Sequence, residues 1–168
     1  NGSPQLGYGM TETLSHVALR NVRNGVSEVF KAIEGVHFEQ AQNCLTIHYP
    51  ALLDAPLYTN DLVNLIDEQH FEWLGRADFA INSGGMKIIP EQLEKTLSTV
   101  LSHPFFVTAV PDEKWGELVM ALVVKVPNSS LTEDALIAYV KTKLAGYKCP
   151  KRVEFRTELP KTTIGKVL

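Results

Sequence analysis

Residues 75–94 read GRADFAINSGGMKIIPEQLE, and this stretch divides the chain into two kinds of sequence. Ala80–Ile81 and Lys87–Ile89 are short β-compatible runs on either side of Ser83, Gly84 and Gly85, a hairpin-turn composition. A helix is expected directly afterwards. Pro90 suits a first helical turn, and Glu91 and Glu94 favour the positive end of the helix dipole. Leu93, Leu97, Val100 and Leu101 fall on one apolar face.

Towards the N-terminus the pattern is all short strands. Ser15–Val22 and Ser27–Ile33 flank the turn signal Asn24-Gly25. Val36–Gln40 and Cys44–Tyr49 flank Ala41, Gln42 and Asn43, and Leu62–Ile66 and Phe71–Leu74 flank Asp67, Glu68 and Gln69. Such spacing predicts a small barrel or folded sheet. Towards the C-terminus, Phe105–Val110 and Leu118–Val126 read as strands joined across Pro111–Glu117. Thr132 caps a second helix whose buried stripe is Leu136, Ile137, Val140 and Leu144 and whose stop is Gly146. Val153–Phe155 is a last strand. The fold class expected is therefore α+β. A β-rich, barrel-like piece over residues 1–74 precedes a hinge at 75–78 and a compact α+β domain over 79–168.

Composition narrows the function classes. With 45% hydrophobic and 21% charged residues in 168, the chain reads as globular. No apolar run approaches the ~20 residues a membrane helix needs. Cys44 and Cys149 stand alone, without the paired Cys and His spacing of a zinc site, and read as reduced cytoplasmic thiols. The net charge of −3 hides an asymmetry: residues 141–168 carry +6 and the remainder −9. That basic end can attract phosphates, or it can be a solvated helix face and loop. It lacks the aromatics and motifs of a nucleic-acid binder.

Four stretches carry candidate chemistry. In YGMTET, Tyr8 offers a flat face to a purine, Gly9 lets a ligand approach the backbone, and Thr11 offers a hydroxyl to a phosphate. Glu12 is a hard oxygen donor of the kind Mg²⁺ accepts beside phosphates. The plain alternative is a turn holding a buried tyrosine. In YTNDLV, the Asp61 carboxylate suits two vicinal ribose hydroxyls, or is a surface turn acid. Arg76 presents a rigid fork of donors to ribose or phosphate. Asp78, just before a strand, suits a hinge, and Ser83, Gly84 and Gly85 leave room for a narrow channel or simply form a tight hairpin. In LPKTTIGKV, Lys166 follows Gly165 and can neutralise charge at a reacting phosphate, or is an exposed tail lysine. Lys161 is read as solvated. The five histidines are scattered, and Trp115 and Gly116 read as packing residues in a turn. Asp54, Asp67 and Asp112 read as turn acids.

In this order the four stretches resemble the later core motifs of the adenylate-forming superfamily, which includes acyl-CoA synthetases, luciferases and peptide-synthetase adenylation domains. The resemblance implies that Tyr8 lies against adenine, Thr11 holds the α-phosphate, Glu12 binds Mg²⁺, and Asp61 and Arg76 bind ribose. It makes Asp78 the pivot of a domain rotation, places Ser83, Gly84 and Gly85 beside the thiol acceptor, and gives Lys166 the catalytic contact to carboxylate and α-phosphate. The chain departs from the superfamily's TGD pattern at Asn60.

The activity so implied joins a small carboxylate to coenzyme A at the expense of ATP, through an acyl-adenylate. The stretches FKAIEGVHFEQAQNCLTIHYP, TNDLV and FEWLGRADFAINSGGMKIIPEQLE are most similar to o-succinylbenzoate–CoA ligases of menaquinone biosynthesis. The superfamily's Ser/Thr/Gly-rich phosphate loop belongs upstream of Tyr8. The chain is accordingly expected to be the C-terminal part of a larger enzyme, a possible homodimer, and inactive in acyl-adenylate formation by itself. Two other readings stay open: an adenylation domain that loads a carrier protein, and a non-catalytic nucleotide-binding module.

Overall fold

The computed structural model describes residues 4–22, 28–99, 101–125, 130–144, 146 and 148–159. By its contacts the chain divides into two units, Asn1–Asp78 and Phe79–Leu168.

The first unit is one seven-stranded antiparallel sheet. Its strands are β1 (Gln5–Gly9), β2 (His16–Asn21), β3 (Val29–Ala32), β4 (His37–Ala41), β5 (Cys44–His48), β6 (Leu57–Asp67) and β7 (His70–Arg76). Their order is β1-β2-β3-β7-β6-β5-β4. The sheet folds over at one end. There the Phe38 N–H donates to the Glu68 carbonyl at 2.8 Å, and the Ala32 N–H donates to the Gln69 carbonyl at 2.8 Å. Val17, Phe30, Phe38, Leu45, Ile47, Val63 and Phe71 are buried inside the fold, following the period-two alternation of their strands. The β4–β5 turn needs only Gln42 and Asn43, with φ of 52° and 67°, so Ala41 joins the strand. The expected Asn24-Gly25 turn lies outside the described residues.

One sequence expectation is corrected here. The stretch YTND is not a turn: β6 runs eleven residues through it. On β5, Cys44 and Thr46 are two residues apart, yet their partners on β6, Leu62 and Tyr58, are four apart. The surplus residues bulge, and Thr59 stitches the bulge shut. Its hydroxyl donates to the Leu45 carbonyl at 2.9 Å and accepts from the Asp61 N–H at 3.1 Å. Asn60 therefore sits in a bulge inside a strand, where a glycine is not required. A bulge also re-aims the side chains beside it. In the stretch expected as a hinge, Gly75 and Arg76 belong to β7 and a 3-10 turn covers Ala77–Phe79, where the two units divide.

The second unit comprises β8 (Ile81–Ser83), β9 (Met86–Ile88), α1 (Pro90–Ser98), β10 (Phe105–Asp112), β11 (Gly116–Val124), α2 (Glu133–Lys141) and β12 (Arg152–Arg156). The hairpin β10–β11 is antiparallel, β12 runs parallel to β11, and β8 joins at Gly116. Residues 119–123 of β11 are all buried, as a strand covered on both faces requires. Leu93, Leu97, Leu136 and Val140 supply the helical share of this core, and Leu101 joins it just past α1. Val100 lies outside the described residues. Helix α2 stops at Lys141, not at Gly146. Thr142 ends it, with its N–H bonded to the carbonyls of Tyr139 and Val140 and its hydroxyl donating to Tyr139 at 2.7 Å. Among the described residues no helix is long and apolar enough to cross a membrane.

Candidate functional site

A cleft of about 420 Å³ opens on the first unit, lined by residues from β1, β6 and β7. It gathers five of the candidate residues: Tyr8, Gly9, Glu12, Asp61 and Arg76. Adjacent strands explain the meeting. Asp61 on β6 is the direct partner of Arg76 on β7, and β1 reaches the same place through the Tyr8 side chain.

Asp61 is 6% exposed, so it is a buried carboxylate and not a surface turn acid. The Tyr8 hydroxyl donates to Oδ2 at 2.6 Å and the Trp73 indole N–H donates to Oδ1 at 3.1 Å. Each oxygen keeps further acceptor capacity. The Tyr8 ring packs against Phe30 and Phe71, with centroids 5.7 and 5.1 Å away, and its hydroxyl is committed to Asp61. Burial, then the bond to the Asp61 carboxylate, push the phenol far above its ordinary pKa. Tyr8 is an uncharged donor in the wall of the cleft.

Gly9 follows at a register shift in the β1–β2 pairing. A Cβ there would lie 2.3 Å from the Ser15 carbonyl oxygen, so the tight return of the chain admits only glycine. That return is the 3-10 turn Thr11–Thr13. Thr13 is buried and closes the turn, its hydroxyl lying 3.0 Å from the Met10 carbonyl and 2.7 Å from that of Ser15. Thr11 and Glu12 are left exposed on the outside of the turn, with Glu12 at the cleft. Among the described residues no group of three or more His, Cys, Asp or Glu could hold a metal ion. Glu12 is a single exposed carboxylate at the cleft, a donor of the type that Mg²⁺ takes where a ligand's own phosphates supply the rest.

Arg76 reaches Asp78 with Nη2 to Oδ2 at 2.5 Å. That bond is the largest influence holding the guanidinium protonated, with the Asp61 charge adding to it against partial burial. One arginine thus lies between a buried acid on its partner strand and an exposed acid two residues on.

The second unit carries the glycine pair. Gly84 and Gly85 form the two-residue β8–β9 turn with φ of 58° and 79°. One side of this tight hairpin is covered. The Trp115 indole lies on Gly84, where a Cβ would fall 2.4 Å from Cε3, and the Gly84 N–H donates to the Trp115 carbonyl at 2.9 Å. Glu117 accepts from the Asn82 N–H at 2.6 Å. Asp112 holds the β10–β11 turn by accepting from the N–H groups of Lys114 and Trp115. Lys161, Gly165 and Lys166 lie outside the described residues.

Sequence reasoning missed Trp73 and Thr59. Trp73 had a signal, since it sits two residues after the buried Phe71 and so shares its face of β7. Thr59 had none, because the bulge depends on the pairing with β5.

This chain has its relatives and structural neighbours in the adenylate-forming superfamily. Its residues 98–166 match the AMP-binding enzyme C-terminal domain. The chain is 40% identical over 121 residues to a 2-succinylbenzoate–CoA ligase of Bacillus cytotoxicus, and 37% identical over 121 residues to a feruloyl-CoA synthase of an Amycolatopsis species. Each match covers 70% of this chain and 24% of the relative, so the chain spans about a quarter of their length. Among solved structures, ATP-bound MatB from Rhodopseudomonas palustris matches 97% of this chain and 38% of its own with a TM-score of 0.81. At 23% identity that likeness shows the fold.

Proposed function

We propose that the protein is an AMP-forming acid–CoA ligase and that this chain supplies part of its nucleotide site. The observation that carries the reading is Asp61: a buried carboxylate at the cleft whose two oxygens are fixed by separate donors and still have acceptor capacity. Such a group satisfies two vicinal hydroxyls at once, as a ribose presents them. Arg76 beside it takes the ribose or a phosphate oxygen. Thr11 and Glu12, on the exposed turn at the rim, face the phosphates, with Glu12 holding Mg²⁺ against them. Bound there, Mg²⁺ offsets phosphate charge during transfer.

The reaction joins a carboxylate oxygen to the α-phosphorus of ATP, releasing pyrophosphate. A CoA thiol then attacks the acyl carbon and releases AMP. Lys166 supplies the cation for the first step. Asp78 is the pivot that exchanges one step for the other, and the Ser83–Gly85 hairpin borders the thiol. These three assignments rest on the superfamily motifs. For the acid, o-succinylbenzoate is our reading, supported by the 40% identity to a ligase of that name. A soluble cytoplasmic enzyme in menaquinone biosynthesis, working on small molecules, follows from it.

The test is acyl-CoA formation by the protein as encoded, with o-succinylbenzoate, ferulate and a long-chain fatty acid offered in parallel. Thioester formation with any acid, abolished by Asp61→Ala, supports the ligase. A preference for ferulate or the fatty acid removes the o-succinylbenzoate assignment and leaves the ligase standing. No AMP released with any acid removes both.

A further inference from the structure

The Asp61 carboxylate sits at the end of a bulged segment, and neither its own strand nor its pairing fixes the plane of its two oxygens. The fixing comes from outside β6. Tyr8 on β1 takes Oδ2 at 2.6 Å, and Trp73 on β7 takes Oδ1 at 3.1 Å. Two donors on different oxygens, from two other strands, stop the carboxylate from turning about its last torsion. The donors are themselves held. Tyr8 is wedged against Phe30 and Phe71, and Phe71 lies two residues from Trp73 on the same strand face. Trp73 also lines the cleft and is 36% exposed, so its indole is not there as core filling.

We propose that Trp73 is a positioning residue that gives the cleft its preference for an intact ribose. By orienting Asp61 Oδ1 through one N–H, it aims the free lone pairs of both oxygens into the cleft. The inference rests on the proposed nucleotide reading and extends it to a residue and a selectivity. A ligand with both ribose hydroxyls gains from the fixed plane; a ligand without them gains nothing. Tyr8 acts in the same way from the other oxygen.

The experiment measures binding of AMP and of 2′,3′-dideoxy-AMP to the protein as encoded, by calorimetry, for the wild type and Trp73→Phe. Phenylalanine keeps an aromatic ring and removes the N–H. The expected result is a loss of about tenfold in AMP affinity, the scale of one hydrogen bond to a charged group. Dideoxy-AMP should change by less than about twofold. Tyr8→Phe is carried in parallel, so a folding defect in one variant leaves the other informative. Equal losses for both nucleotides would show a packing role and overturn the proposal. So would a ribose preference that Trp73→Phe and Tyr8→Phe both keep in full. A wild type that never distinguishes the two nucleotides removes the ribose reading of Asp61 itself, and the proposal with it.

Discussion

The Glu94 carboxylate on α1 accepts a hydrogen bond from the main-chain N–H of Val107 on β10, at 2.8 Å. The bond ties the helix to the edge of the sheet and gives an edge-strand N–H its acceptor. It also places a half-buried acid in the second unit. Burial raises the Glu94 pKa, the Val107 N–H pulls it down, and the nearby Glu91 charge raises it again, leaving a net upward shift.

Because the folded protein binds this proton more readily than the unfolded chain, stability falls as pH rises through the window from the ordinary carboxylate value to the raised one. Glu94→Gln keeps an oxygen for Val107 and cannot titrate. Urea midpoints taken between about pH 7 and pH 4 should show the wild type gaining on the variant as pH falls. Parallel profiles would mean that Glu94 is not shifted.

Gly84 is under two constraints, a φ of 58° and the Trp115 indole where a Cβ would go. Gly84→Ala should cost the second unit about 1–3 kcal/mol. In a Trp115→Ala background the steric part disappears and the penalty should shrink towards the backbone part alone. Thermal unfolding of the four proteins in the cycle measures this coupling. A strictly additive cycle would disprove the contact.

Tyr8 remains a phenol well beyond the pH at which a free tyrosine ionises, with burial the main cause and Asp61 the second. With its folded pKa raised, it contributes stability below the ordinary tyrosine value that is lost as pH climbs above it. An alkaline absorbance titration of the wild type should contain a late component that coincides with unfolding. Tyr8→Phe should remove that component and no other.

Thr132 caps α2 by accepting the Ala135 N–H on its hydroxyl at 3.3 Å. Thr132→Ala should cost about 0.5–1 kcal/mol, the lower part of the usual range for so long a bond. Thr132→Asn should recover most of it. The readout is the unfolding midpoint, and no change with alanine would show that the cap carries nothing.

Most of the fold is legible in the sequence because its punctuation is local. The turn residues Asn43, Gly84 and Gly85, Pro90 at a helix start, Thr132 at a helix cap and the alternation of Phe71 and Trp73 act within a few residues. Sequence reading fails where a distant strand decides the outcome. The bulge at Thr59–Asp61 exists because β5 is shorter than the segment opposite it, and no feature of YTND announces that. Glycine is the usual helix stop, which points to Gly146, whereas Thr142 closes α2 earlier with its own hydroxyl. At the candidate site the residue types are legible and their partners are not. Asp61 and Tyr8 each read as a ligand contact, yet they contact one another, 53 positions apart.

Every side chain in one buried cluster falls between Val17 and Phe71, and every one in the other between Ile81 and Val153. A recombination crossover between residues 78 and 79 would therefore leave each of these two clusters of described residues whole. Exchange at that point would retain the cleft of the first unit while replacing the unit that follows it.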